Sequence, residues 1–231
     1  MSDLEGFGFV LPHWAYWGWL VLSPLVMIFW SKRKENKEPP PEHVHDEETA
    51  MKILAEEDPA LHAPGNKLTD VIDWFSEQSG TLVAFWTVSA VFAYTYEVVA
   101  RFIFNSPTIW VSEACFLLFG MQYLLSGAFA LHHGSHVRVD VLYIKLSERG
   151  RIGMDIFTSV FFFIFALAMV GTSWSFMMDS IRMAETTVET WQVHYGPVKA
   201  TMFAGSILLL MAGVSKLIKD IKLFKLMGGK A

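Results

Sequence analysis

Five apolar runs, at about residues 8–30, 80–104, 109–131, 154–178 and 197–218, are each about as long as a helix needs to cross a bilayer. The clearest stretch is VFFFIFALAMV, from Val160 to Val170, which holds no charge. In lipid each unpaired backbone polar group costs several kcal/mol, so runs of this kind are expected to be helical throughout. The expected class is therefore an all-α integral membrane protein. It has a four-helix transmembrane core, an extra N-terminal transmembrane helix and a short amphipathic surface helix. Composition agrees, with 53% hydrophobic and 18% charged residues, where a soluble domain carries about 25% charge. The net charge of −5 comes mostly from one linker and argues against a nucleic-acid partner. The single cysteine, Cys115, lies in an apolar run, which excludes an internal disulfide and suggests no metal framework.

The Lys and Arg residues orient the chain. Fifteen of the 18 fall in residues 31–79, in residues 132–153 and in the C-terminal tail. Cytoplasmic loops carry such an excess, and the alternation suits five spans with the N-terminus outside and the C-terminus cytoplasmic. The first basic cluster, Lys32-Arg33-Lys34, follows the first apolar run, whereas a secretory signal has its basic region in front. Residues 1–30 thus read as an anchored helix kinked by Pro12 and Pro24, with a re-entrant segment as the alternative. Residues 31–67 read as an acidic cytoplasmic linker without material for a packed core. Leu68, Val71, Ile72 and Phe75 share one helix face, so residues 68–79 are expected to form a short surface helix, capped at Thr69 and joined to the next span through Gly80. The tail, residues 223–231 together with the preceding turn, spaces lysines three apart, which suits an anionic lipid surface. No internal repeat marks a transport site at the bilayer midplane.

Three groups of polar residues invite a chemical reading. Glu97 and Arg101 are four apart on one helix face, and Glu113 lies just inside the next span. A proton relay is one reading; a structural charge cluster closing the turn near the interface is the preferred one. His132, His133 and His136 cluster after the third span. Haem within a helical bundle needs a histidine on each of two facing helices, and here every histidine stands at a helix end or in a loop. No catalytic residue, cofactor or metal ligand is assigned. Gly134 is instead read as a left-handed helix cap. Neither a nucleotide loop nor a Ser-His-Asp arrangement nor a zinc signature is present, so no enzyme is implied. Gly120, Gly127, Gly171 and Gly205 are candidates for close helix approach.

The stretch YEVVARFIFNSPTIWVSEACFLLFG, residues 96–120, resembles a signature of the small membrane subunits of TRAP transporters, the DctQ-like family. Arg101, Phe104, Asn105, Trp110 and Glu113 carry it. GSHVRVDVL, residues 134–142, resembles the family's G-x-H-x-R-x-D turn through Gly134, His136, Arg138 and Asp140. A third likeness is the Pro197-x-Lys199 entry to the last span. The resemblance covers roughly residues 76–222, in the expected order, and the small-permease domain it implies is read as residues 68–222. The resemblance implies a non-catalytic scaffold subunit of a sodium-coupled, binding-protein-dependent secondary transporter in a bacterial inner membrane, importing an organic acid or similar small solute. It implies as partners a large multi-spanning membrane subunit and a periplasmic solute-binding protein, beside membrane lipids. Loop 179–196, with Arg182, Glu185 and Glu189, is the candidate docking surface for the binding protein, with a plain solvated connection as the alternative. The alternatives are a haem-bearing or structural membrane anchor of a redox complex, and an interaction protein with no transport partner. Residues 1–67 have no counterpart in the family pattern.

Overall fold

The computed structural model describes residues 9–35, 65–134 and 146–228. The chain is an all-α membrane protein. Among the described residues five helices follow in order: α1 (His13–Glu35), α2 (Lys67–Phe102), α3 (Val111–His132), α4 (Glu148–Arg182) and α5 (Gly196–Gly228). Among the described residues, four helices (α2 to α5) are long and apolar enough to cross a membrane. Much of the expected linker, and the turn with His136, Arg138 and Asp140, lie outside the described residues.

The helices begin and end where local chemistry satisfies their terminal groups. Pro12, which has no N–H to spend, offers its carbonyl to Ala15 and Tyr16 at the start of α1. At α2 Asn66 precedes the first turn, and Thr69 reaches back so that its hydroxyl accepts the Asn66 N–H at 2.6 Å. Ser147 caps α4 through its carbonyl to Arg151 and its hydroxyl to Gly150. Gly134, with φ 65°, ends α3.

One expectation changes. Residues 68–79 are helical but are not a separate element, because α2 runs from Lys67 to Phe102 without a break. At 36 residues it is about 54 Å long, well beyond a hydrocarbon core of about 30 Å. Gly80 does not hinge it. A Cβ there would overlap the Phe129 ring, so the glycine is needed to let α3 approach. Gly213 does the same for Phe162 of α4. Gly120 and Gly171 have nothing within 4 Å of a Cβ, and Gly127 meets only Leu209 at 3.8 Å, so these three are not the close-approach glycines. Sequence shows where glycines occur, not which way they face.

Two compact units divide the chain. The first comprises residues 1–37, 81–124 and 173–203; the second comprises 38–80, 125–172 and 204–231. In the second, Ala128, Leu131 and Ala212 form the buried centre, with Phe162, Leu208 and Leu209 against it. In the first, α1 is held by its own irregularity. Pro24 cannot donate to Leu20, four residues back, and so frees that carbonyl. The Trp86 indole N–H of α2 donates to it at 2.9 Å. Both Leu20 and Trp86 are buried. The Tyr16 hydroxyl donates to the Ala114 carbonyl of α3 at 2.9 Å.

Trp86→Phe should therefore strand a buried carbonyl and cost about 1–3 kcal/mol. In a Pro24→Ala background the new alanine supplies the missing N–H, and the same substitution should cost less than half as much. Denaturant unfolding in detergent, arranged as a double-mutant cycle, measures this; strictly additive losses would refute the assignment.

Candidate functional site

The connection from α2 to α3 closes around the Glu97 carboxylate, which is buried. One oxygen accepts from Arg101 Nε at 2.9 Å and from Arg101 Nη2; the other accepts from the Thr108 N–H at 3.0 Å and from its hydroxyl. Asn105 sits exposed between them in a left-handed turn, φ 48°. Trp110 then opens α3 with its carbonyl to Ala114 at 2.8 Å, while its indole donates to the Phe9 carbonyl at 2.8 Å. Carboxylates without partners are costly when buried. Glu97 has four donors, an arrangement that holds a turn together.

The connection from α4 to α5 is similarly tied down. The Glu185 N–H reaches the Ser180 carbonyl and the Ala184 N–H the Ile181 carbonyl, with Ala184 at φ 47°. This is a Schellman closure of α4, with alanine at the position that favours glycine. Beyond it Thr186 and His194 pair as an antiparallel bridge, and Thr187 donates its N–H to the Val193 carbonyl. Trp191 is buried, donates to the Leu11 carbonyl at 2.9 Å and lies against His13, Tyr16 and Trp110. The Thr187 hydroxyl donates to Glu113 of α3. Glu113 is buried in the first turn of its helix, where the backbone dipole favours a carboxylate. Lys199 of α5 donates to Glu185 at 2.5 Å. That ammonium, with a smaller share from the Ser180 hydroxyl, holds the Glu185 carboxyl below the usual glutamate range.

A comparison with protein families matches residues 90–223 to the family described as tripartite ATP-independent periplasmic transporters, DctQ component. That span includes both connections just described. The chain belongs to the DctQ family. A search of curated proteins finds no match. A DctQ protein is a component of a TRAP transporter, and nothing in the match favours a redox anchor.

Within this DctQ chain the signature residues separate into two closures. Arg101 and Asn105 belong with Glu97; Trp110 and Glu113 face the α4–α5 loop through Trp191 and Thr187. Pro197 occupies the first turn of α5, where its missing N–H is no loss. Arg182 and Glu189 are exposed, whereas Glu185 is occupied by Lys199. Sequence reasoning missed Thr108, Thr187 and Trp191. Trp191 alone left a trace, as the one tryptophan in a loop rich in threonine and glutamate. It also missed the centre of the second unit. There Asp73 of α2 accepts from Ser215 and from Lys219 of α5, both at 2.6 Å, and lies 3.5 Å from His132 Nδ1 of α3. Lys219 is buried, and Asp73 is half-buried beside it.

Two outcomes follow. Ala184→Gly should stabilise the protein by roughly 0.5–1 kcal/mol by relieving the left-handed alanine, read from the unfolding midpoint; a loss of stability would contradict the closure. Glu185 has a folded pKa below its unfolded value of about 4.3. Its contribution is thus fully present above that pH and lost as pH falls through the folded value. Thermal melts of wild type and Glu185→Gln in detergent should converge on acidification below about pH 4.3, and a constant gap would refute the pairing.

Proposed function

We propose that this DctQ chain is the non-catalytic scaffold subunit of a sodium-coupled TRAP transporter that imports an organic acid or similar small solute. The observation that carries the reading is the use to which the internal charges are put. Asp73, Lys219 and Glu97 each bond side chains from elsewhere in the bundle or turn, so they join helices and leave none of their charge for a translocated ion. A large multi-spanning partner subunit then carries the solute and ion sites and moves, while this chain stays still. Helix α4 suits such a frame: only 11% of its apolar window is buried within the chain, against 39% for α3, so its surface is available to lipid and to the partner.

The excess of Lys and Arg in alternate segments supports an inner-membrane protein with α1 as an extra span, the N-terminus periplasmic and the C-terminus cytoplasmic. The α4–α5 loop then faces the periplasm and the solute-binding protein. Glu189 and the fully exposed Val188 form its tip. Glu185 is the poorer probe, since reversing it would also break its bond to Lys199.

Affinity purification from mild detergent should recover one large membrane protein of many spans in equal amount; a chain that purifies alone, under conditions that keep other membrane complexes whole, overturns the scaffold reading. Reconstituted with its partners, Glu189→Lys should lower uptake several-fold at limiting binding protein and less at saturation. Uptake that matches wild type at every binding-protein concentration would remove the loop as a docking surface.

A further inference from the structure

The fold brings together a set of side chains that the sequence keeps apart. Glu77 stands on α2, four residues after Asp73 and so on the same face. His132 and His133 stand at the end of α3, just before Gly134 with its φ of 65°. One ligand atom from each of Glu77, His132 and His133 lies within 4.8 Å of the other two. Glu77 Oε2 and His133 Nε2 are already 2.7 Å apart.

We propose that Glu77, His132 and His133 bind a divalent transition-metal ion of the zinc class. Two imidazoles and one carboxylate form a donor set that zinc takes, with solvent completing the tetrahedron. Metal–ligand bonds of about 2.0–2.1 Å put the donors of such a site roughly 3.3 Å apart. The contraction from the observed arrangement is thus about 1.5 Å at most, within reach of side-chain rotation. His132 and His133 are neighbours in sequence, and each presents a ring nitrogen within 4.8 Å of a Glu77 carboxylate oxygen.

Neighbouring groups fit this assignment. Asp73 Oδ1 lies 3.5 Å from His132 Nδ1, so it can hold that ring as carboxylates hold metal-binding histidines. Asp73 itself is no ligand, because Lys219 and Ser215 already occupy its oxygens. The His133 ring rests on Phe129, 4.2 Å between centroids, which restricts its orientation. The three side chains remain 43%, 24% and 29% exposed, for Glu77, His132 and His133, which leaves an entry path from solvent. A bound ion would clamp α2 to α3. This site does not depend on the transport reading.

The test uses the full chain, purified in detergent with an affinity tag free of histidine, stripped with chelator and titrated with Co²⁺. One Co²⁺ per chain at micromolar affinity is expected, with the visible absorption of a nitrogen- and oxygen-ligated ion and displacement by Zn²⁺. Glu77→Gln and His133→Ala should each weaken binding about tenfold or more, while His43→Ala with His45→Ala, in the acidic linker, should not change it. Glu77→Gln keeps the shape of the side chain, so the test stands even where a histidine variant folds poorly; circular dichroism and elution volume check this. Absence of micromolar Co²⁺ binding, or binding that survives Glu77→Gln and His133→Ala unchanged, overturns the site.

Discussion

A buried backbone carbonyl needs a donor, and around α1 much of the structure follows from that requirement. Pro24 removes the donor that Leu20 would have had within its own helix. The indole of Trp86 replaces it from the neighbouring helix. A defect in one helix is thereby turned into a fixed point between two, with a direction and a distance that apolar packing alone would not impose. The Tyr16 hydroxyl on Ala114, the Trp110 indole on Phe9 and the Trp191 indole on Leu11 repeat the principle. In each case an aromatic side chain brings an apolar body and spends its one polar atom on a backbone carbonyl.

Charged side chains follow the same rule at higher stakes. A buried ion pair is weak evidence for stability, since desolvation offsets much of the attraction, yet removing one partner is strongly destabilising. Asp73 with Lys219 and Ser215, and Glu97 with Arg101 and Thr108, are therefore best understood as devices of geometry. They allow one arrangement of the helices that carry them and penalise others. Loss of Lys219 would leave the half-buried Asp73 carboxylate with only the Ser215 hydroxyl and the His132 ring, and loss of Asp73 would leave a buried ammonium. Either state costs more than the intact pair contributes.

The helices were legible in the sequence because a bilayer-length apolar run admits few alternatives. The run from Val160 to Val170 falls inside α4, and the extensions of α2, α4 and α5 beyond the apolar windows are where the reading of boundaries went short. Residues 68–79 show why. Periodicity cannot tell a helix that stops at Gly80 from one that continues through it; the unbroken course of α2 from Lys67 to Phe102 decides that. The signature around Arg101 and Glu113 was visible as a motif, yet its partners Thr108, Thr187 and Trp191 were not. Threonine at an arbitrary loop position carries no pattern. A contact between residues 74 positions apart, as in Glu113 with Thr187, has no local trace. Asp73 and Glu77 likewise carry no local sign of their partners, because Lys219 and the two histidines come from distant helices.

For the frame role proposed for this chain, where rigidity is placed matters as much as its amount. Interior contacts between smooth apolar helices permit sliding, since neighbouring registers bury similar area and lipid offers no hydrophobic penalty for separation. Directional bonds do not slide. The α4–α5 loop is held by three independent kinds of them: the Schellman closure, the Trp191 indole and the Thr187–Glu113 pair. Each would have to break for the loop to shift as a body, while its tip at Val188 and Glu189 takes part in none of these bonds and stays exposed. A connection built this way keeps its position and still presents a free surface, as the proposed docking of a solute-binding protein requires.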